Sequence, residues 1–158
     1  FLYKTDSLIM AKIRITKAYK FDMAHALPGH DGLCKNIHGH SYELLVTLIG
    51  EPINDQNSPK NGMVIDFKDL KKIIKDLIVD QFDHSLVLRD DTPEALLTQM
   101  QIAYSRIILV NYQPTSENMI IDFANRIKNR LPDNVKLHHL KLWETVTSYT
   151  EWYAEDNE

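Results

Sequence analysis

The sequence lacks the features that mark secreted and membrane-spanning proteins. It has a single cysteine among 158 residues, so no disulfide can form within the chain, which favours a reducing, cytoplasmic location. Its apolar runs fall far short of the ~18 residues needed to cross a bilayer. We therefore expect a globular cytoplasmic protein.

Positive charge is also scarce. The 18 lysines and arginines are outnumbered by 22 acidic residues, which gives a net charge of -4. This charge leaves no basic footprint for nucleic acid or an anionic membrane. A chain of 158 residues fits one domain. We predict a single domain over residues 10–158 and interpret residues 1–9, which precede Met10, as an extension outside the fold.

The spacing of apolar residues predicts an α+β fold. Period-two alternation indicates strands at 12–21, 38–49, 63–66, 135–143 and 149–153. Helical spacing follows Asp66, over 67–78, and again over 114–131, with a shorter helix at 92–100. Residues 106–110 fit either a strand or the end of that short helix. Because strands and helices are clustered, an antiparallel sheet is favoured over a parallel one.

The histidines suggest a metal site. His38 and His40 are two residues apart on a predicted strand, so both imidazoles point to the same face. His25 lies just past the end of the preceding strand and returns to them if the two strands form a hairpin. A catalytic zinc site has three protein ligands, such as three histidines, and a fourth coordination position that stays open. His30, in the loop, competes with His25 for the third place.

Cys34 lies four residues before His38 and has three interpretations. As a fourth ligand it would close the site and make the zinc structural. As a free thiol beside the metal it would serve as a base or nucleophile. It could also be a small buried apolar residue, although a loop between Gly32 and Lys35 is a poor place for one.

Other polar residues are weaker candidates. Asp83 could orient His84 as a proton donor or acceptor, or the pair could simply end a helix at the surface. Glu144 shares a strand face with apolar residues and would need a partner there, unless it lies exposed at the strand end. Thr115 and Ser116 are most simply the first residues of a helix, an end that also binds ligands.

Taken together, these residues resemble a known family, the 6-pyruvoyltetrahydropterin synthase / 6-carboxytetrahydropterin synthase family. The resemblance runs from about Lys12 to Tyr153. It is carried by five segments in order: F-D-M-A-H, C-K-N-I-H-G-H, M-V-I-D-F, F-D-H, and P-T-S-E-N followed by L-W-E-T. Three residues between Cys34 and His38 are similar to the 6-carboxytetrahydropterin synthase branch, which serves queuosine biosynthesis; the pyruvoyl branch has a longer gap. The region from Leu88 to Gln113 is longer than in compact members.

The resemblance implies a fold and an assembly. The tunnelling fold (T-fold) has a four-stranded antiparallel sheet with two main helices on one face. Its subunits form a trimeric barrel, two trimers stack into a hexamer, and active sites lie between subunits. The implied substrate is a small molecule, 7,8-dihydroneopterin triphosphate.

The resemblance also assigns roles to the candidate residues. His25, His38 and His40 would hold Zn²⁺. Cys34 would be the base, and Asp83 with His84 would relay protons. The pterin-binding residues would be Glu144, Thr115 and Ser116. A zinc hydrolase is disfavoured because the sequence has no H-E-x-x-H helix. A non-catalytic protein with a closed zinc site of Cys34 and three histidines stays open.

Overall fold

The computed structural model describes residues 11–158, so the predicted extension at 1–9 lies outside the described residues. The centre of the fold is a long antiparallel hairpin of β1 (Ile13–His25) and β2 (His38–Gly50). Its register runs from the Ile13–Gly50 pair to the His25–His38 pair. β1 is longer than predicted, and His25 is its last residue rather than a residue beyond it.

The hairpin lies within a six-stranded sheet. β5 (Val135–Thr145) pairs antiparallel with β2, and β6 (Ser148–Tyr153) pairs antiparallel with β5. On the other side β3 (Ser85–Arg89) runs parallel to β1, and β4 (Ile107–Val110) runs parallel to β3. The order is β4-β3-β1-β2-β5-β6.

The two main helices, the first and the last of the chain, cover one face of this sheet. α1 (Phe67–Ile74) begins after Asp66, whose side chain accepts the Lys68 N–H. It continues through a π-helical turn (Lys75–Val79) into the single turn α2 (Asp80–Phe82). α3 (Glu94–Ala103) connects β3 to β4, and α4 (Ser116–Lys128) precedes β5. Short 3₁₀ turns occupy Leu33–Lys35 and Ala154–Asp156.

One apolar core lies between the helices and the sheet. Alternate residues of the hairpin point into it and are buried together with residues of α1 and α4: Tyr19, Phe21, Met23, Tyr42, Leu44, Val46, Leu48, Leu70, Ile74, Phe123 and Ile127. α3, in contrast, has no buried residue. The two main helices, α1 and α4, therefore supply the packing, and α3 is peripheral to it.

The α+β prediction is confirmed, with two corrections. The sheet has six strands rather than four because β3 and β4 are added beside β1, in parallel. Short apolar runs like these have no readable periodicity, so pattern alone could not identify β3 or decide the nature of 106–110. The strand predicted at 63–66 is wrong: this segment is a bend leading into α1.

No helix among the residues described, 11–158, is long and apolar enough to cross a membrane.

Candidate metal centre and active site

Three histidines meet at the end of the β1–β2 hairpin. His25 lies directly opposite His38 in the strand register, and His40 follows two residues later on the same face. That face is the one which, further along β2, carries the buried residues Tyr42 and Leu44. The hairpin therefore places the three imidazoles at the rim of the core, with His25 fully buried.

Backbone carbonyls fix how two of these rings present their nitrogens. The Nδ1 atom of His25 lies 2.7 Å from the carbonyl oxygen of Pro114, and Nδ1 of His38 lies 2.8 Å from that of Asn36. A carbonyl oxygen only accepts hydrogen bonds, so Nδ1 carries the proton in both rings. In each neutral ring Nε2 is then unprotonated and has a free lone pair, which is the form in which histidine binds a metal.

The two unprotonated Nε2 atoms lie close to each other. Nε2 of His25 and Nε2 of His38 are 3.1 Å apart, which is unfavourable for two acceptors unless a cation lies between them. Zinc–nitrogen bonds of 2.0–2.1 Å at a tetrahedral angle would put two ligand atoms about 3.3 Å apart. One ligand atom from each of His25, His38 and His40 lies within 4.8 Å of the others. The three histidines could therefore hold a metal ion.

Glu144 brings a carboxylate to the same cluster. Its Oε1 atom is 3.9 Å from Nε2 of His25 and 3.8 Å from Nε2 of His40. The Tyr42 hydroxyl donates to the same oxygen at 3.3 Å. Glu144 follows Leu142 by two positions on β5, so the face predicted for it is the observed one. Tyr42 stays a neutral donor because burial, reinforced by the charge of Glu144, raises its pKa.

The surroundings keep His25 and His40 neutral. Burial lowers the pKa of His25 below its ordinary 6.5, and the hydrogen bond to Pro114 opposes this only in part. Burial also lowers the pKa of His40, although the nearby Glu144 carboxylate acts in the opposite direction. Both rings are thus available as ligands at neutral pH.

Cys34 lies in the loop between the two histidine-bearing strands. It occupies the 3₁₀ turn Leu33–Lys35, where its carbonyl accepts the Leu27 N–H at 3.0 Å, and it is half-buried. In the part of the chain that the structure describes, the cluster of potential ligands consists of three histidines and does not include Cys34. The observed position agrees better with a free thiol than with a fourth ligand.

Asp83 and His84 contact each other but do not belong to the cluster of three histidines. Asp83 Oδ2 lies 3.0 Å from His84 Nδ1 in the turn between α2 and β3. His84 borders an open pocket of about 440 Å³ whose lining also includes Asp22, Ser41 and His40. Asp22 and Ser41 alternate with Met23 and His40, so their side chains point to the opposite face of the sheet. Within one chain, then, the pair is not brought onto the face of the three histidines.

Thr115 and Ser116 begin α4 beside the metal cluster. The Thr115 hydroxyl accepts the Asn118 N–H at 3.3 Å, so Thr115 is the N-cap of the helix. Ser116 is buried. The residue before them, Pro114, supplies the carbonyl that binds His25. The start of α4 therefore orients one of the three clustered histidines.

Comparison with known proteins identifies the family. Residues 14–155 match the family model for 6-pyruvoyl tetrahydropterin synthase. The chain belongs to this family. It is 39% identical over 142 residues to the 6-carboxy-5,6,7,8-tetrahydropterin synthase of Haemophilus influenzae, covering 88% of this chain and 97% of that one.

Solved structures of the 6-pyruvoyl tetrahydropterin synthase family agree with the fold. The Caenorhabditis elegans 6-pyruvoyl tetrahydropterin synthase superposes with a TM-score of 0.66 at 26% identity, over 92% of this chain and 97% of that one. An uncharacterized protein from Wolinella succinogenes has the same fold, with a TM-score of 0.76 at 20% identity over 91% and 99% of the two chains. The predicted T-fold is confirmed.

Three contributors to the site escaped the sequence analysis. The carbonyls of Pro114 and Asn36 have no side-chain signature, so no pattern could have revealed them. Tyr42, which donates to Glu144, was within reach: it shares the strand parity of His38 and His40.

Replacing His38 tests the metal cluster. We expect His38→Ala to lose stoichiometric zinc, because two remaining imidazoles hold the ion much more weakly. His30→Ala is the matched control, since this loop histidine contacts Gly32 and Asp31 rather than the cluster. Zinc content after dialysis is the measurement. Zinc retained by His38→Ala but lost by His30→Ala would show that the ligand set is wrong.

Acid should destabilise the metal-free protein. His25 and His40 have lowered pKa values in the folded state, so below about pH 6.5 the unfolded chain binds protons that the folded chain does not. Stability therefore falls as pH falls from 7.5 to 5.5. Urea midpoints across this range measure the effect, and His40→Gln should show a shallower slope. His139 shares the direction of shift and remains in both proteins. An equal slope in the variant would contradict the role of His40.

Proposed function

We propose that this protein is a zinc-dependent lyase, a 6-carboxy-5,6,7,8-tetrahydropterin synthase of queuosine biosynthesis. It converts 7,8-dihydroneopterin triphosphate and one molecule of water to 6-carboxy-5,6,7,8-tetrahydropterin, with release of triphosphate and acetaldehyde. The observation that carries the proposal is the cluster of three converging histidines with Glu144, in a chain 39% identical to a relative of that name.

In this proposal His25, His38 and His40 hold Zn²⁺. When bound there, the ion supplies a positive charge that stabilises negative charge developing on the substrate side chain. The hydrogen bonds from Nδ1 of His25 and His38 to carbonyl oxygens keep both rings in the tautomer and orientation that binding requires.

Cys34 and the Asp83–His84 pair move protons in this proposal. The Cys34 thiolate removes a proton from the substrate side chain beside the metal site, and triphosphate leaves. His84, oriented through Nδ1 by the Asp83 carboxylate, returns protons through its other ring nitrogen. Addition of a water molecule and carbon–carbon cleavage then release acetaldehyde and leave the 6-carboxyl group.

Glu144 orients the pterin ring in this proposal. A carboxylate accepts two parallel hydrogen bonds from the amino group and ring N–H of a pterin. A site built to pair such groups discriminates strongly, because a wrong ring leaves buried polar atoms unpaired. Thr115 and Ser116, at the nearby start of α4, line the same pocket.

The active protein is proposed to be a homo-oligomer, a hexamer made of two trimers. This assembly is supported by the position of His84, which faces away from the metal cluster of its own chain. A neighbouring subunit can then supply the Asp83–His84 pair to the site. The proposed partner is a small pterin triphosphate, with no role for nucleic acid or membrane, and the proposed location is the cytoplasm.

The 6-pyruvoyl reaction is the second candidate, because the matching family model and the C. elegans structure have that name. It shares the site but stops after triphosphate elimination, without side-chain cleavage. The short gap between Cys34 and His38 favours the carboxy reaction. A non-catalytic protein with a closed zinc site is disfavoured by the position of Cys34 outside the histidine cluster.

Product analysis tests the function. Purified zinc protein incubated with 7,8-dihydroneopterin triphosphate should yield 6-carboxytetrahydropterin and an equal amount of acetaldehyde, identified by mass spectrometry. His38→Ala is the inactive control. A 6-pyruvoyl tetrahydropterin product without acetaldehyde would favour the second candidate. No conversion of the triphosphate would reject both candidates.

Cys34→Ala separates a base from a ligand. We expect the variant to keep its zinc but to lose turnover by about 10²-fold or more, because general-base catalysis contributes on this scale. Zinc content and product formation are measured on the same sample. Loss of zinc together with activity would make the thiol a ligand. Iodoacetamide gives an independent check: an open site leaves the wild-type thiol reactive, whereas a closed site protects it.

A further inference from the structure

Arg106 makes an unusual set of contacts with the turn that carries His84. It lies just before β4, and its guanidinium donates to three backbone carbonyls of the preceding helical end. Nε donates to Asp83 at 3.0 Å, and Nη2 donates to Asp80 at 2.8 Å and Gln81 at 3.0 Å. The last carbonyls of a helix lack partners within the helix, and a cation is favoured at that end. Arg106 therefore closes the end of α2.

The opposite side of the turn is tied to β1. The His84 N–H donates to the Asp22 carbonyl at 2.7 Å, and the Asp22 N–H donates to Asp83 Oδ1 at 2.9 Å. The other carboxylate oxygen of Asp83 binds His84. The Asp83–His84 pair thus sits between two anchors, the backbone of β1 and the side chain of Arg106.

His84 needs such anchors because neither its backbone nor its packing holds it. Its φ is +58°, in the left-handed region that residues with a Cβ seldom occupy and that persists only where the surroundings impose it. Its side chain is 74% exposed, so burial does not fix the ring. Hydrogen bonds to the turn must do so.

We propose that Arg106 is a positioning residue for the Asp83–His84 pair, holding the turn in the conformation that presents the imidazole to substrate. The proposal rests on the proposed function for its catalytic consequence. The backbone of Arg106 is itself fixed, because its carbonyl accepts the Leu86 N–H at 2.8 Å as β4 pairs with β3. The β3–α3–β4 unit, whose helix lies outside the core, acquires a role in this way: it carries Arg106 to the site.

Amide hydrogen exchange with kinetics tests this inference on the zinc-loaded protein. In Arg106→Ala we expect the amides of His84 and Asp22 to exchange about tenfold faster, while the Leu44 amide in the core is unchanged. kcat should fall about tenfold or more with KM and zinc content unchanged, since misplacement of a reacting group costs on this scale. Arg130→Ala, which removes an exposed arginine beyond α4, is the matched control.

Arg106→Lys should fall between the wild type and Arg106→Ala, because an ammonium keeps the charge but cannot span three carbonyls as the guanidinium does. Unchanged exchange at His84 and Asp22 would overturn the proposal. So would faster exchange with an unaltered kcat, or faster exchange at Leu44 as well, which would mean general destabilisation. If the wild type does not convert the pterin triphosphate, the proposed function fails separately, and the exchange result alone then decides whether Arg106 holds the turn.

Discussion

The candidate site depends on the close approach of two unprotonated imidazole nitrogens, Nε2 of His25 and Nε2 of His38. They are 3.1 Å apart because the β1–β2 register makes the two residues direct partners. Their other nitrogens are committed to carbonyl oxygens, so neither ring can turn a proton toward the other without losing a hydrogen bond. Two unprotonated nitrogens at this distance repel each other, and a metal ion bound between them would relieve that repulsion. A shift of one residue in the β1–β2 register would put His25 and His38 on opposite faces of the sheet.

The free energy that holds this register comes from the core rather than from the site. Further along the hairpin, Leu44, Val46 and Leu48 are completely buried on the face that carries the histidines. Burying such side chains contributes about 1.5–3 kcal/mol each, enough to offset the unfavourable histidine contact. Tyr42 lies at the boundary: its ring stacks on Phe21 in the core, and its hydroxyl reaches Glu144 in the site. Stability and ligand geometry therefore depend on the same strand pair.

The predictable parts of this protein are those with a periodic signal. Period-two spacing placed His38 and His40 on one face, and helical spacing located α1 and α4. β3 and β4 were missed or left undecided because four- and five-residue apolar runs carry no period. The carbonyls of Pro114 and Asn36 could not be predicted at all, since every residue has one and only the folded path selects which oxygen faces an imidazole. The face to which His84 points is equally a property of the turn, not of its sequence.

The added strands also change how the site is distributed over the fold. The metal cluster is held by β1, β2 and the start of α4, all packed on the core. The Asp83–His84 pair is held by hydrogen bonds to the backbone of β1 and to the side chain of Arg106, which lies just before β4. Most of the His84 imidazole is exposed to solvent. Strands packed on the core, together with carbonyl contacts to His25 and His38, fix the first group of residues, whereas hydrogen bonds at the surface fix the second. Surface hydrogen bonds are individually weak and open locally at small free-energy cost. That freedom suits the proton relay proposed for this pair, which must change partners during turnover, but would not suit the metal ligands proposed for the three histidines.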